Sequence, residues 1–375
     1  MDSSHLIKLA MMSLVLLLSS CDPDGSGGEG METVDLTDIA YDPVTYEVDR
    51  VVGFPILEFP ADNPLTEDGV QLGRRLFYDP VLSRDSTLSC ASCHLQEGAF
   101  TDNLAFSPGV DGAVGERSSM SLVDVGFHLN GLFWDGRVAT LEEQALLPVE
   151  DPVELDHDWA VVVRDLRADS IYQVMFRKAF GISDTDGINR ELAAMAIAQF
   201  ERSLLSIGSS TWDRVKAGRA IFSDQEDLGR LIFFDRGALE GRPELPDGQC
   251  FHCHIDPLFT DNLYRNNGLD VAPDYEDFPD LGRGGAIGER LQNGQFRTPT
   301  LRNVEFTAPY MHDGRFETLE EVMEHYISGG LPSVNKDPLM DSIILNTEQR
   351  DAVIAFLKTL SDRSLLDDPR YAQPE

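Results

Sequence analysis

Apolar positions along this chain recur at helical spacing rather than in alternation. Thr66-Glu67-Asp68 reads as a helix start, with Thr66 as cap and two acids meeting the positive end of the helix dipole. Leu72, Leu76 and Phe77 follow on one stripe, and Asp79-Pro80 stops the helix. A strong amphipathic helix over 191–205 carries Leu192, Met195, Ala196, Gln199 and Phe200 on or near one face. Its counterpart over 352–360 is apolar at Val353, Ile354, Phe356 and Leu357. No stretch alternates long enough for a convincing sheet, so the pattern predicts a mainly α fold.

The remaining segments read as connections. Residues 33–62 form a Pro- and acid-rich irregular arm, 209–218 a junction, and 266–285 an insertion loop. Residues 98–121 are Gly/Ser-rich, and a loop that long inside a compact domain usually wraps a ligand or carries function.

Three blocks occur twice, in the same order. Leu72-Gly73-Arg74-Arg75-Leu76-Phe77-Tyr78-Asp79 returns as Leu228-Gly229-Arg230-Leu231-Ile232-Phe233-Phe234-Asp235. Phe100-Thr101-Asp102-Asn103-Leu104 returns as Phe259-Thr260-Asp261-Asn262-Leu263. Trp134-Asp135-Gly136-Arg137 with Thr140-Leu141-Glu142-Glu143 returns as His312-Asp313-Gly314-Arg315 with Thr318-Leu319-Glu320-Glu321. One module has been duplicated. A chain of 375 residues has room for two such domains, each with its own core.

Each copy encloses the same chemistry: Cys90-Ala91-Ser92-Cys93-His94 in the first, Cys250-Phe251-His252-Cys253-His254 in the second. Two cysteines at this spacing each add to a haem vinyl group, and the following histidine ligates the iron from below. A redox C-x-x-C would not need the histidine, and a zinc site would need a further close Cys or His pair. The spacing therefore predicts two covalent haems c, on Cys90, Cys93 and His94 and on Cys250, Cys253 and His254.

The fifth cysteine stands apart. Lys8 precedes an apolar run over 9–18, too short to span a bilayer and suited to a signal peptide, and the run ends Leu18-Ser19-Ser20-Cys21. That ending resembles a bacterial lipobox, which implies lipidation of Cys21 and a membrane anchor on the periplasmic side; an ordinary cleaved signal is the alternative. The expected layout is a leader over 1–20, a flexible linker over 21–45, an N-terminal haem domain over 46–210, a C-terminal haem domain over 211–365 and a tail over 366–375. The net charge of −35, from 65 acidic and 30 basic residues, argues against nucleic-acid binding and suits a basic protein partner.

Two haem motifs together with Phe133-Trp134-Asp135-Gly136-Arg137 and Thr298-Pro299-Thr300-Leu301-Arg302-Asn303 resemble the bacterial dihaem cytochrome c peroxidase/MauG family. The resemblance covers roughly 60 to 365. It implies two tandem cytochrome-c-like domains, with hydrogen peroxide reacting at the N-terminal haem and the C-terminal haem relaying electrons. It makes Trp134 the relay between haems, and Gln144 and Glu154 the distal-pocket residues that assist peroxide. Calcium between the domains would rest on the carbonyls of Thr307 and Pro309, while the family's asparagine ligand falls on Ser118, a poorer donor. Tyr326 falls where cytochrome c peroxidases place methionine and MauG-type members tyrosine. Its repeat partner, Pro148, has no atom with which to close the first iron. Three functions stay open on these residues: MauG-like oxidation of a partner protein, peroxide removal with a small cytochrome c as donor, and electron carriage alone. Arg137 and Arg315 read as anchors for haem propionates or carboxylates.

Expression beside haem-attachment machinery is expected to add two haem masses to the polypeptide, read by intact mass spectrometry. A gain of one or none would contradict the duplicated architecture.

Overall fold

Two crossed helix pairs carry the architecture, one pair in each copy of the repeat. The computed structural model describes residues 32–48, 51, 53–340 and 343–375; the leader and Cys21 lie outside them. In chain order the α-helices among these residues are α1 (Glu67–Tyr78), α2 (Cys90–Cys93), α3 (Leu141–Glu150), α4 (Trp159–Ala168), α5 (Ser170–Phe180) and α6 (Arg190–Ser203). They continue with α7 (Thr211–Lys216), α8 (Asp224–Phe233), α9 (Gly282–Ile287), α10 (Leu319–Ser328) and α11 (Thr347–Lys358). The described sheet is minimal, β1 (Tyr264–Arg265) antiparallel to β2 (Phe296–Arg297), so the fold is mainly α.

Helix α1 starts where the sequence places it. The Thr66 side chain accepts from Gly69 N, and the helix ends at Asp79. Leu72, Leu76 and Phe77 are fully buried beneath it. α1 packs on α6 and α8 on α11. The repeated Leu-Gly explains the closeness of both crossings: a Cβ on Gly73 would stand 1.8 Å from Ala196 O, and one on Gly229 would stand 1.9 Å from Ala352 O. Only a residue without a side chain lets the backbones meet there. Aromatic packing repeats as well, with Phe77–Phe200 and Phe233–Phe356 centroids both 5.1 Å apart.

Several connections differ from expectation. Residues 34–45, expected within a flexible linker, are tied down: Leu36 is 4% exposed, its N–H donates to Ser183 O at 2.8 Å, and Thr45 bridges to Thr66. The junction at 209–218 is built around α7, capped by Ser210, with Trp212 stacked on Phe222 and Phe234. α11 begins earlier than the apolar pattern, because Asn346 and Gln349 form a capping box ahead of it. The final segment is no loose tail. Leu365 and Tyr371 are buried in the core beside Phe77 and Phe100, and Tyr78 Oη donates to Tyr371 O at 2.7 Å. Val34–Glu375 forms one compact unit.

Gly73→Ala is expected to cost about 1–3 kcal/mol, the usual range for forced overpacking, read as a lower denaturation midpoint. Gly115→Ala, whose added Cβ meets nothing within 4 Å, is the matched control and should change little.

Candidate functional site

Each histidine of the two repeated motifs is held by backbone: Phe100 and Met120 for His94, Phe259 and Pro299 for His254. Helix α2 presents Cys90 and Cys93 one turn apart, and His94 N donates back to Cys90 O. His94 Nδ1 lies 2.9 Å from Phe100 O; in the second copy His254 Nδ1 lies 3.0 Å from Phe259 O. With Nδ1–H donated to a carbonyl, Nε2 keeps its lone pair free to bind a metal. Burial pushes both imidazoles toward the neutral form that ligation requires. Phe100 and Phe259 have φ +61° and +53°, a conformation that a bulky residue rarely adopts. Both are fully buried, and Thr101 and Thr260, which follow them, donate to Ser119 O and Thr298 O. The four cysteines among the described residues are unpaired thiols.

His94, Cys90 and Cys93 open into a cavity of about 630 Å³. Its wall includes Gln144 and Pro148 from α3, Glu154 from the turn that follows, Arg137, Trp134, and residues of the long loop over 98–121. Gln144 Oε1 is buried without a hydrogen-bond partner. Desolvation pushes the Glu154 carboxyl up to about 7; Asp151 adds to the shift and Arg137 opposes it. Glu201, on α6, also lines the wall and had no signal in the sequence beyond being an acid within an apolar helix. It is 4% exposed, its Oε2 lacks a partner, and desolvation raises its carboxyl to about 8.

His254, Cys250 and Cys253 open into a second cavity, of about 250 Å³. Tyr326 and Met323 both line it from α10, with Met311, His312, Thr307 and Pro309. His312 stacks on Phe296 at 3.6 Å between ring centroids. Burial raises the Tyr326 phenol to about 12. Ser118, at the expected asparagine position, donates its hydroxyl to Met311 O at 3.1 Å. Among the described residues no cluster of three His, Cys, Asp or Glu could hold a metal ion.

Trp134 and His128 line both cavities, as do residues 118–121. Trp134 Nε1 donates to Ser118 O at 2.9 Å, and its own carbonyl accepts from Arg297 N at 2.8 Å. Burial drives the His128 imidazole down to about 3, so this partition carries it neutral.

The repeat register extends beyond the attachment motifs. A Cβ on Gly109 would meet Val153 O at 2.2 Å, and one on Gly268 would meet Leu331 O at 3.0 Å. In that register Gln144 corresponds to Val322, Pro148 to Tyr326 and Glu154 to Pro332. The two sites share their attachment side and differ on the opposite side. Both donor sets fit a covalently held haem: a thiol pair, a neutral imidazole with Nε2 free, and an apolar wall in which Gln144 Oε1 still lacks a partner.

Known proteins are similar to this chain in sequence and fold. The family model described as di-haem cytochrome c peroxidase matches residues 67–220. MauG of Methylophilus methylotrophus is 32% identical over 311 residues, covering 82% of this chain and 86% of that protein. The chain belongs to the dihaem cytochrome c peroxidase/MauG family. Cytochrome c551 peroxidase of Nitrosomonas europaea is 31% identical, with 85% and 86% covered. A crystal structure of a MauG-like protein associated with microbial copper homeostasis superposes with TM-score 0.79 at 35% identity, covering 88% of this chain and 99% of that one. Membership makes the chain a haem peroxidase with two haems c, and its fold the family's cytochrome-c-like dihaem fold. Among the described residues no helix is long and apolar enough to cross a membrane.

Proposed function

We propose that this protein is a MauG-like peroxidase that reduces hydrogen peroxide in the His94 cavity and passes the oxidising equivalents to a partner protein. The observation that supports the reading is the different lining of the two cavities: Gln144, Pro148 and Glu154 line that of His94, and Tyr326 lines that of His254. The haem on His94, when bound, supplies the electrons that cleave the peroxide O–O bond. Glu154 takes the proton from the near peroxide oxygen and returns it to the departing one, and its raised acidity range suits both halves of that task. Gln144 Oε1, without a partner in the wall, accepts from the peroxide O–H and orients it. Pro148, in the same cavity wall, offers no donor atom and so would not compete with the substrate for a haem held on His94.

Trp134, hydrogen-bonded on both sides of the partition, relays electrons between the sites. Tyr326 would help His254 hold the second haem, and an anionic phenolate would favour oxidised iron there, biasing that site toward storing oxidising power rather than drawing electrons from a high-potential donor. Met323, in the same cavity, supports a second reading, a cytochrome c peroxidase fed by a small cytochrome c. The acidic surface suits a basic partner in either case. The reading also places the protein on the periplasmic side, tethered through Cys21, since c-type haem is attached outside the cytoplasm. Calcium belongs to it through the Thr307 and Pro309 carbonyls at the edge of the second cavity.

Stopped-flow decay of peroxide should slow by roughly two to four orders of magnitude in Glu154→Gln, with the haem spectra unchanged. The base must be ionised and Glu154 is protonated below its shifted range, so the wild-type kcat/KM should rise with pH through about 7. Glu154→Gln should lose that limb. An unchanged rate would remove Glu154 from the reaction.

Ligation of the second haem separates the two readings. Tyr326→Phe should open that haem, whereas Met323→Leu should leave the ferric spectrum alone and a near-infrared sulphur-to-iron band should be absent from the wild type. The reverse pattern would replace the MauG-like reading with the cytochrome c peroxidase one.

A further inference from the structure

Among the described residues the two cavity walls hold five arginines, and four of them are already paired. Arg117 reaches Asp135 and Asp280, and Arg137 shares Asp135. Arg265 is held by Asp261 and Asp337, and Arg302 by Asp124 and Asp213. Arg297 forms no ion pair. Its guanidinium meets only neutral oxygens, Phe133 O at 3.4 Å, Asn262 Oδ1 at 3.3 Å and Tyr264 Oη at 3.2 Å. These bonds leave one N–H on each terminal nitrogen unused. Yet Arg297 is only 2% exposed, in the wall of the second cavity.

A guanidinium stays charged, and burying it without a counter-ion is strongly unfavourable. Desolvation accordingly lowers its hold on the proton. Asp135 attracts it but is already shared by Arg117 and Arg137. The Tyr264 ring lies 5.6 Å from the Arg297 guanidinium carbon, but Arg283 occupies the same ring at 4.0 Å. The backbone nevertheless fixes Arg297 here: β2 pairs it with Tyr264, and its N–H donates to Trp134 O at 2.8 Å.

The duplication supplies an internal comparison. Thr101 donates to Ser119 O as Thr260 donates to Thr298 O, which sets Ser118 in register with Arg297. Ser118 is uncharged, so the cation belongs to the second site alone. Arg315, the anchor expected there from the sequence, is spent on Asp270, Asp313 and Leu269 O and does not line the cavity.

We propose that Arg297 is the counter-ion of the second haem, its unused N–H groups donating to one of the two propionate carboxylates that a haem carries. The anion missing from the chain is brought by the cofactor. The inference rests on a haem at His254 and not on which residue ligates its iron, so it is independent of the choice between Tyr326 and Met323. A buried propionate without a partner would favour ferric iron; the guanidinium cancels that charge and makes the second haem easier to reduce.

The test uses the full chain loaded with both haems. Arg297→Gln removes the charge and should move the second haem's midpoint potential to more negative values, leaving the first haem's unmoved. The propionate bending band of the second haem in resonance Raman spectra should move as well. Arg297→Lys keeps the charge without the fork, so its midpoint should stay closer to the wild type while the Raman band still moves. Tyr264→Phe removes one contact of Arg297 and no charge, and should leave the midpoint in place. A second midpoint unmoved by Arg297→Gln, or moved as far by Tyr264→Phe, would overturn the pairing. The wild type needs no substitution for a further arm: its second midpoint should not follow added chloride more than its first does. A stronger chloride dependence of the second would assign a free anion to Arg297 and overturn the propionate.

Discussion

The hydrogen bond between each motif histidine and the carbonyl of a left-handed phenylalanine is the constraint around which the rest is built. Without it the imidazole could turn about its χ angles, and neither ring nitrogen would be committed to the cavity. The backbone pays about 1–3 kcal/mol for a bulky residue at positive φ. Burial of the Phe100 and Phe259 rings and the threonine bonds that follow offset that cost. The two crossed helix pairs then form the floor on which those rings pack, which is why Gly73 and Gly229 sit where the backbones meet. Attachment geometry is thus conserved within the molecule by packing, and chemistry is free to diverge on the other wall.

That divergence gives two sites from one module. At the repeated positions the first presents the Gln144 amide, Pro148 and the desolvated Glu154 carboxyl; the second presents Val322, the Tyr326 phenol and Pro332. Trp134 and His128 stand between them in a partition that carries little charge of its own, since burial keeps the imidazole neutral. Buried ion pairs tie the halves together at the cavity wall itself. Arg302, fully buried and lining the second cavity, joins Asp124, Asp213 and Ser206 O across the two halves.

Much of this could be read from the residues. Thr66, Leu72, Leu76 and Phe77 specified α1 because cap, dipole and apolar stripe agreed, and the C-x-x-C-H motifs fixed their cavities because the chemistry depends on local spacing. Gln144, Glu154, Trp134 and Tyr326 were reachable only through the family resemblance, and the structure places each on a cavity wall. Glu201 was not legible: its place in the cavity depends on residues far along the chain, and an acid on a helix carries no local mark of that. The partners of Leu36, within the expected flexible linker, and of Tyr371 were equally out of reach, because both are held by residues more than a hundred positions away.

The path of the segment after 365 ties the second half of the chain back to the first. Gln96, two residues beyond His94, donates to Leu365 O and Asp368 O, and Arg74 donates to Arg370 O. Leu365 and Tyr371 pack into the core that holds Phe77 and Phe100. A product truncated shortly before Leu365 would therefore leave the first core, rather than the second, without that cover.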